Sequence, residues 1–392
     1  MRDRGGRIVL VVLDGLGGLP HPDTGRTELE TATTPHLDRL AARASLGVHT
    51  PVAPGITPGS GPAHLAIFGY DPVRDLVGRG ALSALGVGMP FGPGDLAARL
   101  NLATFDADGI VVDRRAGRPP DAEAERVVER IRRELRAPDG VEIDLEVEKE
   151  HRVVLRLAGE DLGADLTDTD PLVDGRPDLR CEARSPGSER SAAIVRDLLS
   201  QVREILADEA VLNGVLARGF AGWSDIPGYP DRFGLRASAI AKYPMYRGVA
   251  RLVGMEVAGV PDETAATVDL LEASFEAYDF HFVHFKDPDT RGHDGDFEGK
   301  VRAIEEVDAL LPRIVALEPE VLIVTGDHST PALLGEHSWH PVPTLLASRT
   351  ARPTADSFGE TVCRAGDLGS LRGNDLLALA LAHAGRLVKF GA

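Results

Sequence analysis

Ile8-Val9-Leu10-Val11-Val12-Leu13 is an unbroken run of branched apolar residues that stops at Asp14. A strand with one wet face would alternate between apolar and polar residues. This run has no polar side, so it predicts a central parallel strand covered on both faces. Two later runs behave similarly: Phe280 to Phe285, bounded by Asp279 and Lys286, and Val321-Leu322-Ile323-Val324, which leads into Thr325-Gly326-Asp327-His328. All three deliver polar residues just past their ends. Open α/β sheets bind ligands outside the carboxyl ends of their strands, so distant parts of the chain are expected to feed one crevice.

The segments between these strands read as helices. Thr34-Pro35 supplies an N-cap and a proline at the first helical position, with Leu37, Leu40 and Ala41 on the apolar face; Val301, Ile304, Val307 and Leu311 mark another helix, and Asn374 to Gly385 a terminal one. The middle of the chain has strands and helices of its own. Val153 to Leu157 reads as a strand, Asp121 to about Arg136 as an amphipathic helix, and Ile194, Leu198, Val202 and Ile205 as the inner face of a second helix. At 392 residues the chain exceeds what one core usually organises. The Pro- and Gly-rich stretches Met89 to Gly94 and Ile226 to Pro230 suit linkers. The expectation is an α/β protein in which residues 1–91 and 232–392 form a core with a mostly parallel sheet flanked by helices. Residues 92–231 are expected to form a smaller inserted α/β domain.

The formal net charge of -18 argues against general attraction to nucleic acid or to an anionic membrane surface, so an anionic substrate would need a locally basic pocket. Five of the 43 basic residues are lysines, which leaves arginine as the main source of such a pocket. Cys181 and Cys363 match no clustered metal or redox spacing and suit a reduced cytoplasm. The charged start Met1-Arg2-Asp3-Arg4 precedes an apolar run too short for an export signal or a membrane span.

Six of the twelve histidines fall between His281 and His340, several with acidic neighbours, which suggests metal. Asp289 and His293 are four apart, Asp327-His328 follows a buried strand directly, Asp14 follows another, and His337 and His340 add further donors. A nucleophile is offered by Ser60 within Gly59-Ser60-Gly61-Pro62, a glycine turn leading into a helix through Leu65 and Ile67. Exposed amides at a helix start favour a phosphoryl group. A serine hydroxyl is a weak nucleophile at neutral pH unless a base or a metal supports its alkoxide.

In this order, Asp14, Ser60, Asp289 with His293, Asp327-His328 and His337 resemble the ligand series of the alkaline-phosphatase superfamily. Five further segments are similar to archaeal-type cofactor-independent phosphoglycerate mutases: Phe68-Gly69-Tyr70-Asp71-Pro72, Gly78-Arg79-Gly80-Ala81-Leu82, Asn101-Leu102-Ala103-Thr104, Val112 to Arg118, and Gly292 to Asp296. The resemblance implies an alkaline-phosphatase-like core and an isomerase that interconverts 3-phosphoglycerate and 2-phosphoglycerate through a phosphoserine on Ser60. It implies no requirement for 2,3-bisphosphoglycerate. It assigns Asp14, Ser60, Asp327 and His328 to one divalent ion and Asp289, His293 and His337 to a second, with His340 outside. Manganese is the implied metal, with zinc or cobalt as other occupants. The partner is a small phosphorylated carboxylate, neither nucleic acid nor membrane, and the oligomeric state is left open. Arg114, Arg115, Arg152, Arg190, Asp168 and Lys242 are candidates for holding substrate, because a carboxylate needs fork donors and hydroxyls need a carboxylate partner. The alternative is a phosphomonoesterase or phosphonate-related hydrolase using the same serine and metals. Ser60-Gly61-Pro62-Ala63-His64 also resembles the sulfatase signature, but with His64 in place of its arginine, which counts against that activity.

Overall fold

The computed structural model describes residues 5–391, so the charged start Met1-Arg2-Asp3-Arg4 lies outside the described residues. Two compact units are present: one comprises Met1–Leu76 with Ile226–Ala392, the other Val77–Asp225.

The first unit is built on an eight-stranded sheet. Its order is Glu256–Gly259, Ala237–Ile240, Phe280–Phe285, Ile8–Leu13, Val321–Thr325, Val342–Ser348, Ala44–Thr50 and Gly369–Arg372. The first five strands are mutually parallel, and only Val342–Ser348 runs against its neighbours. The three apolar runs are adjacent, with Ile8 opposite both Phe280 and Val321, and Leu13 opposite Phe285. Every residue of Ile8–Leu13 is buried, because helices cover both faces of a parallel sheet. The helix Phe297–Ala316 contributes Ile304, Val307, Leu311 and Ile314 to one side, together with Leu37 and Leu40 from Pro35–Ala41. Register then carries Asp14, Lys286 and Asp327 to the same sheet edge.

The second unit has a mostly antiparallel sheet in which Leu96–Phe105 pairs with Arg152–Gly159 on one side and Gly214–Gly222 on the other. The helices Asp121–Glu134 and Glu189–Ile205 bury Val127, Val128, Ile131, Val195 and Leu198 in a separate core. Its first boundary lies near Val77, earlier than the expected 92, because the helix Arg79–Val87 packs on this sheet. Gly80 makes that packing possible: a Cβ there would collide with the carbonyl of Ala97. The second boundary falls at Asp225, earlier than the expected 231. Among the described residues, no helix is long and apolar enough to cross a membrane.

Candidate active site

Five segments of the first unit meet at the carboxyl edge of its sheet. Asp14 follows Ile8–Leu13, and Asp327 and His328 follow Val321–Thr325. The short helix Asp287–His293, after Phe280–Phe285, carries Asp289 and His293. Ser60 opens the helix Ser60–Ile67, and His337 lies in the loop before Val342–Ser348. Gly15 allows the first of these segments to turn sharply: its φ is 63°, and a side chain there would press on Thr330 and Asp289.

His328 is the hub. Its Nε2 lies 3.5 Å from Asp14 Oδ1, 3.1 Å from Asp327 Oδ2 and 3.3 Å from Ser60 Oγ. Its ring stacks on that of His337 at 3.7 Å, and His337 Nε2 and His293 Nε2 each lie 3.6 Å from Asp289 Oδ1. Donor atoms of Asp14, Asp327 and His328, and separately of Asp289, His328 and His337, lie within 4.8 Å of one another. His328 therefore faces both groups, whereas the resemblance assigned it to one. His293 stands at the margin and is 43% exposed. His340 turns away and stacks on Trp339.

The second nitrogen of each histidine shows what the first can do. His337 Nδ1 is 2.8 Å from the carbonyl of Pro58 and His293 Nδ1 is 3.1 Å from that of Gly335; a carbonyl only accepts, so both Nδ1 atoms carry the proton. Thr330 donates its hydroxyl to Asp289 Oδ1 at 2.7 Å, so it accepts from His328 Nδ1 at 3.0 Å. In their neutral form all three imidazoles thus present an unprotonated Nε2 to carboxylates. With all three carboxylates ionised, no proton stands between these nitrogens and the oxygens they face. Asp14 Oδ1 and Asp327 Oδ2 are likewise buried without a hydrogen-bond partner. Bare imidazole nitrogens with orphaned carboxylate oxygens are a donor set that fits divalent cations.

Electrostatics agree with this. Burial and the charges of Asp14 and Asp289 push the Asp327 carboxyl well above its usual range. Burial also opposes ionisation of Asp14, but Lys286, His284 and His328 outweigh it and hold that carboxyl well below. Lys286 is the cation that reading the sequence did not single out. Its ammonium reaches Asp14 Oδ2 at 3.0 Å, contacts Asp289, and meets the hydroxyl of Tyr246 at 2.8 Å. Its place immediately after the strand Phe280–Phe285 was the available signal. Behind this layer, His64 donates Nδ1 to the carbonyl of Ser60 at 2.8 Å, and the ring of Tyr246 stacks on His284 at 3.9 Å.

The substrate candidates separate. Arg114 is engaged by Asp170 through both Nε and Nη2, at 2.6 and 2.8 Å, which commits it to the second unit's own structure. Arg115 and Arg190 are exposed, Arg190 donating to the carbonyl of Glu160. Asp168 accepts from the Gly219 amide at 2.7 Å, and Lys242 donates to the carbonyl of Asp262. Arg152 belongs to a cluster with Arg79, Arg99 and Arg218 that the sequence did not reveal. Arg99 sits opposite Arg218 across one strand pair, and Arg152 opposite Asn101 across the other. Burial lowers the Arg99 guanidinium to about 10; Glu148 opposes this, and Arg152, Arg79 and Arg218 add to it. Arg99 Nε is buried without a partner. Like charges facing each other across strands destabilise a sheet, so this cluster is shaped for an anion.

Comparison with known proteins follows the same lines. The family profile described as 2,3-bisphosphoglycerate-independent phosphoglycerate mutase matches residues 41–212. A Thermus thermophilus protein named as a probable 2,3-bisphosphoglycerate-independent phosphoglycerate mutase is 52% identical over 390 residues, covering 98% of this chain and 96% of that one. A Thermotoga maritima protein of the same name is 47% identical over 387 residues, with the same coverage. Among solved structures, a Pyrococcus horikoshii protein superposes with a TM-score of 0.86 at 30% identity, covering 99% of this chain and 100% of that one. The cofactor-independent phosphoglycerate mutase of Thermoplasma acidophilum gives 0.73 at 27% identity, covering 97% and 100%.

Proposed function

Because this chain belongs to the family of 2,3-bisphosphoglycerate-independent phosphoglycerate mutases, which are isomerases, we propose that it interconverts 3-phosphoglycerate and 2-phosphoglycerate by parking the phosphoryl group on Ser60. The observation that carries this reading is the Ser60 hydroxyl 3.3 Å from His328 Nε2, a nitrogen that also faces Asp14 and Asp327 and whose residue groups with Asp289 and His337.

Asp14, Ser60, Asp327 and His328 would hold one divalent ion and Asp289, His293 and His337 the other, with His328 near both. Such ions lower the pKa of a bound hydroxyl and neutralise charge on a transferring phosphoryl group. Ser60 Oγ gives up its proton and attacks phosphorus in line. The bond from phosphorus to the 3-oxygen breaks, its electron pair stays on that oxygen, and the oxygen takes a proton to become glycerate's hydroxyl. After glycerate turns over, its 2-hydroxyl loses a proton and attacks the phosphoserine, the bond from phosphorus to Ser60 Oγ breaks with its electron pair on Oγ, and that oxygen takes up a proton to restore the hydroxyl. No external phosphoryl donor enters this sequence, in keeping with independence from bisphosphoglycerate.

The chain's own residues prepare the first step. Ser60 begins a helix whose first amides have no intrahelical partner, and His64 fixes its carbonyl from below. Lys286 bonds to both Asp14 and Asp289 and helps to hold the Asp14 carboxyl well below its usual range. Within the second unit, Arg99, with Arg79, Arg152 and Arg218 near it, is the candidate for binding an anion. The deciding experiment incubates the protein with 3-phosphoglycerate and manganese and follows 2-phosphoglycerate and free phosphate together. A mutase yields the isomer with little phosphate. Phosphate as the main product would identify a hydrolase.

A further inference from the structure

One buried lysine lies outside all of this chemistry. Lys300, in the helix Phe297–Ala316, is 0% exposed, a rare position for an ammonium group. It donates to the carbonyl of Gly17 at 3.0 Å and to that of Thr330 at 2.9 Å, and its third side faces Glu28 Oε1 at 3.7 Å. Gly17 is three residues beyond Asp14, and Thr330 is two beyond His328. A single charged group therefore grips both loops that leave the central strands, Ile8–Leu13 and Val321–Thr325.

The network continues outward. Glu28 accepts from the Ala332 amide at 2.7 Å, and Glu360 accepts from the Gly18 amide at 2.9 Å and the Thr27 hydroxyl at 2.6 Å. The two loops also bond to each other directly, with the Thr330 amide 3.2 Å from the Gly15 carbonyl and 3.1 Å from that of Gly17. The Ser338 amide reaches the Ser329 carbonyl at 2.8 Å, which ties in the segment bearing His337. A core with no task at its edge would be as stable or more stable with apolar side chains in place of a buried ion pair. Here the pair instead spans two loops whose side chains gather at the sheet edge.

We infer that Lys300, neutralised by Glu28, is a positioning residue that sets the distance between the Asp14 loop and the Asp327-His328 loop and so tunes the affinity of the divalent-ion site. This rests on the two-metal reading above. Its action is through the backbone: Lys300 touches carbonyls and no ligand atom.

The test compares wild type with Lys300→Met and with the double variant Lys300→Met plus Glu28→Gln, all stripped with a chelator and titrated with manganese against a competing dye. The single variant leaves a buried carboxylate uncompensated and is expected to melt earlier. The double variant removes both charges, while the side-chain carbonyl that Glu28→Gln leaves at that position can still accept from the Ala332 amide. Its metal-free melting temperature should therefore lie above that of the single variant, short of wild type by the hydrogen bonds that the Gly17 and Thr330 carbonyls lose. Circular dichroism confirms that the titrated protein is folded. Manganese binding to the double variant should weaken about ten- to a hundredfold, the usual effect of losing a group that orients metal ligands. Manganese affinities equal to those of wild type in the folded double variant overturn the inference and leave the two-metal reading intact. A double variant that fails to fold also overturns it, since the pair would then serve the fold itself. A wild-type protein that binds no divalent ion would instead overturn the two-metal reading and this inference with it.

Discussion

Ser60 Oγ lies 3.3 Å from His328 Nε2, although 268 positions separate the two residues in the chain. Thr330 receives the proton of the opposite ring nitrogen, so the nitrogen facing Ser60 has a free lone pair. The hydroxyl is thus held against the group that also faces Asp14 and Asp327.

Ser60→Ala should abolish isomerisation, with residual turnover reduced at least about a thousandfold, because the variant lacks the hydroxyl that faces His328 Nε2. The change removes one oxygen at the start of a helix and should leave the melting temperature within a few degrees of wild type. Intact mass after addition of 3-phosphoglycerate should show a phosphorylated species for wild type alone. Equal labelling of the variant would move the nucleophile elsewhere.

Chelator treatment should abolish activity, and manganese, cobalt and zinc should restore it to different extents. His328 faces both donor groups, so His328→Ala should weaken both ions and lower kcat by about a hundredfold or more. His293→Ala, at the exposed margin, should weaken one ion and cost less. Metal content of the desalted variants separates the cases; two retained ions in His328→Ala would contradict the arrangement.

Arg99→Met and Arg114→Met should differ in kind. Arg99 has no carboxylate partner for its buried Nε and crowds other guanidiniums, so its loss should raise KM about tenfold or more while the melting temperature holds or rises. Arg114 is the two-pronged partner of the buried Asp170, which Arg218 also approaches at 3.3 Å, so its loss should cost about 1.5 to 3 kcal/mol of stability. Product ratios at equal conversion add a second readout. A raised share of free phosphate in Arg99→Met would show that unheld glycerate escapes before the phosphoryl group returns.

Acid should destabilise the first unit through its buried histidines. Burial lowers His49 and His281 from 6.5 to about 4, so in the folded protein both stay neutral where the unfolded chain already takes up protons. Their contribution to stability is whole above pH 6.5 and shrinks as pH falls from 6.5 through 4, by about 2 to 3 kcal/mol each at the lower end. Thermal melts of the metal-free protein between pH 7 and 4.5 should show the loss. His49→Gln, though less stable at pH 7, should lose less over the same interval; a parallel decline would assign the acid sensitivity to other groups.

The sequence alone determined the parallel centre of the fold, because an apolar run without a polar side has one stable environment, and Ile8–Leu13 states it locally. It also placed Asp14, Asp327 and His328 at strand ends, since that follows from where the run stops. The proton on each histidine was decided elsewhere: the carbonyl of Pro58 fixes His337 from 279 positions away, and that of Gly335 fixes His293 from 42. Lys286 and Lys300 looked like two charges among 43, and only closure of the chain shows one between two carboxylates and the other beneath two loops. The arginine cluster depends on strand register, which sets Arg99 opposite Arg218, while Arg114 is claimed by Asp170 at 56 positions' remove. Periodicity and burial are properties of neighbouring residues and can be read along the chain. Hydrogen-bond partners and facing charges depend on which distant segments become neighbours, and that is settled only when the whole sheet has assembled.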